Sequence, residues 1–252
     1  MGQAMHDRIS HILGSAGNGN SPIRPTELFN EGWMLRLVLD YLSTNPIADH
    51  PFSFFEGARW YSEALLPSAF LTRRRGDELA EGWTNADGVV GHFAISHAAK
   101  GDLTLSPEAK QFVVIEAKMF SGLAAGVKRC AVYDQAARNV ACMAEVLSRA
   151  KTPPAAVQRL AFFVVAPESQ ISCGIFGQRV EKASIRAAVE ARVNTYAGER
   201  DDWLAVKFAA TLDVIEVRLV SWEQTLQELP KEYHDFYANC LRFNRAASRP
   251  AP

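Results

Sequence analysis

The sequence predicts an α/β fold, with a mixed central sheet flanked by helices. Three observations carry that reading. Apolar residues recur at helical spacing between Leu28 and Leu42. A long stretch with β texture follows, from Trp83 to Ser121. Beyond it, helix-like and strand-like runs alternate, the pattern of strands joined by crossover helices.

Taken in order, Pro25-Thr26 opens a helix in which Leu28, Glu31, Leu35, Val38 and Leu42 share one face, and Asn45-Pro46 ends it. Residues 52–68 are aromatic-rich and read as a mixture of helix and short strand. Residues 73–78 form a polar turn. Residues 88–95 read as one strand, Lys100-Gly101-Asp102 as a turn and residues 103–105 as a short extended piece. Residues 111–118 are the most strand-like run of the chain. After a break at Ser121-Gly122-Leu123, residues 127–150 read as a long helix stopped by Thr152-Pro153-Pro154. A buried strand at 160–166, a helix at 185–196, a last strand at 214–220 and a helix at 222–229 complete the order.

The chain has 252 residues, 48% hydrophobic and 22% charged, which supports one large domain with its own core and does not call for a second. Residues 1–24 are expected to be a loose N-terminal segment, because 14–21 are rich in Gly, Ser and Asn. Residues 25–245 form the single domain and 246–252 a flexible tail. A net charge of −1 argues against a protein that grips nucleic acid with its whole surface. Local phosphate contacts could come from Arg73-Arg74-Arg75, from Lys128-Arg129, or from Arg242, Arg245 and Arg249. Each cluster reads equally well as a solvated face. The four cysteines, Cys130, Cys142, Cys173 and Cys240, lack Cys-x-x-Cys spacing, and no His pair has zinc-ligand spacing. Free thiols in a reducing cytosol follow. There is no apolar signal-peptide core and no apolar run near the roughly 18 residues of a membrane span. A soluble cytoplasmic protein with no membrane partner is expected.

Chemistry shows first in the run ending Ile115-Glu116-Ala117-Lys118. Side chains alternate along a strand, so Val113, Ile115 and Ala117 take one face and Phe112, Val114, Glu116 and Lys118 the other. Both faces begin apolar, as in a central strand, yet one ends in two opposite charges. Burying charge is costly unless it is paired. The pair marks either a site or a strand end emerging into solvent. Asp87, in Asn85-Ala86-Asp87-Gly88, stands just before a strand that plausibly pairs with the one carrying Glu116, although Asp-Gly is also a hairpin signal. Glu31 interrupts an apolar stripe. It either complements the helix N-terminus or points at the same site. Gln135 and Asn139, four apart on the next helix, share a face with Val132, Cys142 and Val146 and need hydrogen-bond partners there.

Together these residues resemble the PD-(D/E)xK nuclease superfamily, the restriction-endonuclease-like fold with an αβββαβ core. The likeness covers residues 28–166, and Glu116-Ala117-Lys118 is its most specific part. Ala86 stands where the family has proline, and Asp87 and Glu116 are 29 positions apart (116 − 87), a long spacing. The resemblance implies a metal-dependent nuclease that hydrolyses phosphodiester bonds, with DNA as the nucleic acid partner. It implies Mg²⁺ as cofactor, with Mn²⁺ able to substitute, because hydrolysis adds charge to an anionic phosphate and a hard cation relieves it. Asp87, Glu116 and the carbonyl of Ala117 would be metal ligands. Glu31 would serve a second metal, Lys118 would orient or activate the attacking water, and Gln135 would orient Lys118, water or DNA. A homodimer is compatible. The alternative is a catalytically silent nucleic-acid-binding or scaffold protein of the same fold. A glycosidase built on paired carboxylates leaves Lys118 without a task, and no Gly-x-Ser-x-Gly supports serine chemistry.

Overall fold

The computed structural model describes residues 3–19, 21–72, 74–96 and 102–247. The first half contains helices α1 (Gln3–Ser15), α2 (Pro25–Leu28) and α3 (Glu31–Thr44). Strands β1 (Arg59–Leu66), β2 (Thr84–Gly91), β3 (Phe93–Ser96), β4 (Asp102–Leu105) and β5 (Gln111–Ala117) follow. Then come α4 (Gln135–Ala150), β6 (Arg159–Ala166), α5 (Glu168–Ser172), α6 (Lys182–Asn194), α7 (Ala209–Val214), β7 (Glu216–Ser221), α8 (Trp222–Leu226) and α9 (Lys231–Ala247).

The strands form one mixed sheet in the order β3-β4-β1-β2-β5-β6-β7. Strand β2 is antiparallel to both β1 and β5, whereas β5, β6 and β7 run parallel. Parallel neighbours need crossovers that cover both faces of the sheet. Accordingly, every residue of β5 is buried. One face, with Phe112, Val114, Phe162 and Val164, packs under α4 and α6 through Val140, Leu147, Ile185 and Val189. The other, with Val113, Ile115, Phe163 and Val165, packs under α3 and α9 through Met34, Leu35, Val38 and Cys240. The sheet is thus the middle of three layers.

Several boundaries differ from the sequence expectation, for local reasons. The helix read through Leu28 to Leu42 is two helices. Asn30 turns extended and accepts the N–H of Trp33 at 2.9 Å, starting α3 afresh at Glu31. Residues 52–58 carry no helix, only turns before β1. The long helix of 127–150 begins only at Gln135, because Asp134 caps it by accepting the Ala137 N–H, and it ends at Lys151 in the left-handed region. The helix of 222–229 stops at Leu226. The segment 1–24, expected to be loose, contains α1. The expected tail begins within α9, its remainder lying outside the described residues. No helix is expected from the sequence over α1, α5, α7 or α9.

The strand expected over 88–95 breaks into two pieces, β2 beside β5 and β3 at the far edge. Gly91 makes the break. Its φ is +152°, and a Cβ there would stand 2.1 Å from the Gln111 carbonyl oxygen. The expected turn at Lys100-Gly101-Asp102 falls largely outside the described residues. All four cysteines are free thiols, and burial pushes Cys142 and Cys240 up to about 12. Among the described residues no helix is long and apolar enough to cross a membrane.

Gly91→Ala is expected to destabilise the protein by at least about 2 kcal/mol, since both the backbone conformation and the close approach forbid a Cβ. Gly14→Ala, where an added Cβ meets nothing within 4 Å, should cost little by comparison. Urea denaturation of the two variants measures the difference.

Candidate active site

The site forms where β2 and β5 part. Their ladder runs from Gly91↔Phe112 to Gly88↔Ile115 and stops there. One residue further, the Asp87 carboxylate takes over, with Oδ2 accepting the Ala117 N–H at 2.8 Å. The alternation of β2 slips at the same point. Ala86 and Val89 lie in the cluster under α4, whereas Gly88 between them faces Leu35 and Leu39 of α3. Asp87 is therefore mid-strand rather than at the strand start expected for it. The Asp87-Gly88 pair is no hairpin turn. Gly88 is bare because a Cβ would stand 2.8 Å from Leu35 Cδ2.

Glu116, 1% exposed, sits on the α4 face of β5. Its Oε1 accepts from Lys118 Nζ at 2.7 Å and from Gln135 Nε2 at 2.5 Å, and its Oε2 from Asn139 Nδ2 at 3.2 Å. Asp87 lies within hydrogen-bonding reach. Burial pushes the Glu116 carboxyl up to about 8; Asp87 beside it adds to the rise and Lys118 opposes it. Lys118 is itself buried, so this pair is not the solvent-exposed strand end that its sequence position allowed. Its backbone is fixed on both sides, its N–H donating to the Val165 carbonyl at 2.8 Å and its carbonyl accepting from Trp222 Nε1 at 3.0 Å.

Glu31 approaches from the other layer, at the first turn of α3. Burial raises its carboxyl, its own backbone N–H and Lys118 lower it and Asp87 raises it further, so it lies in the electrostatic neighbourhood of the cluster. Gln135 is the first residue of α4. It ties the loop after β5 to Glu116, accepting the Ala124 N–H at 2.9 Å through Oε1 while Nε2 reaches Glu116. Val132, expected to share that helix face, lies before the helix and is 60% exposed.

The structure thus brings Asp87, Glu116, Lys118 and Gln135 to one place, with Ala117 in contact through its N–H and Glu31 near enough to feel the charges of Lys118 and Asp87. Four further residues complete it. Asn139 had been noticed only as a buried polar group. Glu63, at φ +58° and opposite Asp87 between the pairs Ser62↔Gly88 and Ala64↔Ala86, has a carboxyl raised by burial and by Asp87. Gln170 accepts the Phe120 N–H and donates to the Ser121 carbonyl, holding the chain just past Lys118. Trp222 anchors Lys118. Only Asn139 left a sequence signal, as a polar residue on an apolar helix face.

As placed, the carboxylate oxygens are engaged by protein donors. Among the described residues no three His, Cys, Asp or Glu side chains converge as a ligand set. The donor chemistry nonetheless suits a hard cation, since two adjacent carboxyls, one of them raised by burial, gain from a nearby positive charge. Of the basic clusters, Arg129 pairs with Glu78 and Arg245 stacks on Phe120, while Arg73 and Arg249 lie outside the described residues. Comparison with protein-family models, with curated proteins and with solved structures gives no match.

The Glu116 carboxyl holds a proton in the folded chain that the unfolded chain has released. Stability is therefore expected to fall as pH rises from 4.5 to about 8. Glu31, Glu63 and Glu81 shift in the same direction and add to the slope. Glu116→Gln should flatten the upper part of that slope. The slope in urea denaturation at several pH values is the readout, because the substitution also removes the partner of Lys118.

Proposed function

We propose that this chain is a divalent-metal-dependent nuclease of the PD-(D/E)xK type that hydrolyses phosphodiester bonds in DNA. The observation that carries the reading is the meeting of Asp87 on β2 with Glu116 on β5 and Lys118 just past its end, at the point where the two strands separate. The order α3, β1, β2, β5, α4, β6 supports it. So does the sheet order β1-β2-β5-β6, antiparallel up to β5 and then parallel, with β3 and β4 as an added hairpin-like edge.

Asp87 and Glu116 would hold Mg²⁺ or Mn²⁺ together with the carbonyl of Ala117, and Glu31 would serve a second ion. Such an ion supplies charge neutralisation at the phosphate and acidifies water in its shell. The chain's own residues do the rest. Lys118, pinned through Val165 and Trp222, presents its ammonium where charge develops as water attacks phosphorus and the ester P–O bond breaks. Gln135 and Asn139 fix both oxygens of Glu116. Gln135 does so from the N-terminal turn of α4, whose dipole favours negative charge.

A non-cutting nucleic-acid-binding protein of the same fold is the second reading. It is favoured by the engagement of the Glu116 oxygens by Lys118, Gln135 and Asn139.

Purified wild type should cut DNA with Mg²⁺ or Mn²⁺ and not with EDTA or Ca²⁺, while Ca²⁺ supports binding. Lys118→Ala should lower the cutting rate by about 100-fold or more while leaving metal affinity in calorimetry nearly unchanged. Asp87→Ala should lose metal binding and cutting together. Wild type that binds no divalent ion, or Asp87→Ala that cuts like wild type, rules out the nuclease.

A further inference from the structure

Two arginine-capped aromatic rings flank the carboxylates. Trp33 is the third residue of α3, two beyond Glu31, and is 37% exposed. The Arg36 guanidinium lies over its ring, 5.3 Å from the centroid. Arg36 is itself tied to β1, donating to Ser62 Oγ at 2.8 Å and to Glu63 at 3.4 Å, and Glu63 stands opposite Asp87. Phe120 is two residues beyond Lys118, half-buried and at φ +67°, and its N–H is held by Gln170. The Arg245 guanidinium lies over that ring at 5.4 Å.

The sheet order places these pairs on opposite sides of the centre. Asp87 and Glu116 belong to the middle strands β2 and β5. Trp33 and Arg36 reach β1 on one side, and Phe120 is bound to Gln170, just past β6, on the other.

We propose that Trp33 is a stacking platform for an unpaired base beside the carboxylates, with Phe120, packed against the α3/α9 core and capped by Arg245, bounding the other side, so that this centre takes a single-stranded or locally unpaired nucleic acid. The proposal rests on the nuclease reading for what is cut there, but not for what is bound. An exposed indole with an arginine on one face keeps its other face open for a base. Bases in a duplex already stack on one another and present no free π-face, whereas unpaired bases of any sequence do. The two guanidiniums beside the rings supply local positive charge for phosphates in a chain of net charge −1. Trp83 is an internal control. It too is exposed beneath an arginine, Arg149 at 5.9 Å, but Arg149 lies at the opposite end of α4 from Gln135. Trp83 itself stands four residues before Asp87, within about 14 Å of it along the chain, so it controls for ring position and not for remoteness.

The test is fluorescence anisotropy with labelled oligothymidylate and with a labelled duplex, each of about 20 nucleotides per strand, in EDTA and in Ca²⁺. Wild type should bind oligothymidylate at least about tenfold more tightly than duplex. Trp33→Ala should lose about tenfold on oligothymidylate with little change on duplex, Trp33→Phe should recover most of the loss, and Trp83→Ala should match wild type. Equal affinity of wild type for both probes overturns the proposal. So does a Trp33→Ala variant that binds oligothymidylate like wild type, or that weakens on both probes alike. If the binding pattern holds but no divalent ion supports cutting, the nuclease reading alone falls. If duplex is cut while oligothymidylate is neither bound nor cut, the stacking proposal alone falls.

Discussion

The constraint on which the site depends is the burial of one carboxyl, that of Glu116, at the end of a strand covered on both faces. Leaving such a group ionised and unpaired inside a protein costs several kcal/mol. The chain offsets that cost with three donors. Lys118 comes from just past the end of the same strand, and Gln135 and Asn139 come from successive turns of α4. The two contacts from α4 fix where its N-terminus lies over β5.

Asp87 adds a second acid where one is already costly, and the backbone yields to admit it. Strand β2 leaves the ladder after Gly88, and the Asp87 carboxylate replaces the lost partner of the Ala117 N–H. Across β2, Glu63 sits in the left-handed region opposite the same residue. The strain and the acidity coincide on β1 and β2, next to the fully buried β5. The molecule contains a useful contrast. Arg192, 1% exposed, is also a buried charge, but it lies among the rings of Phe70, Tyr133 and Tyr196 and donates to the Leu79 carbonyl. It ties the segment before β2 to α6, with the rings around it and one buried acid, Glu81, at 3.9 Å.

The central strands were legible because their signal is local. Gln111 to Ala117 and Leu160 to Ala166 are unbroken apolar runs, and only a strand between two layers uses them. Glu116 and Lys118 stood out against that run for the same reason, and Glu31 against its helical stripe. Strand β1 was poorly marked, because Arg59 to Leu66 is half-exposed and its charges fit an ordinary solvated face. Nothing in Trp60-Tyr61-Ser62-Glu63 reveals that Glu63 would face Asp87. Helix α9 is weakly marked because its aromatic and charged residues are interleaved, and its partners, α2 and α3, lie some 200 residues earlier, as in the contact of Asn244 with the carbonyl of Phe29 just past α2.

The sequence by itself determined the layer architecture, the central strands and the identity of the charged residues that could not be left in an apolar interior. Periodicity and the cost of burying charge are properties of short segments, and they survive without knowledge of the fold. Only the tertiary structure decided which of those residues meet. The parting of β2 from β5 at Asp87, the reach of Gln135 and Asn139 to Glu116, and the anchoring of Lys118 by Trp222 across 104 positions are all long-range. Such contacts depend on register and on crossing layers, and a one-residue slip in either would send the same side chains to different faces.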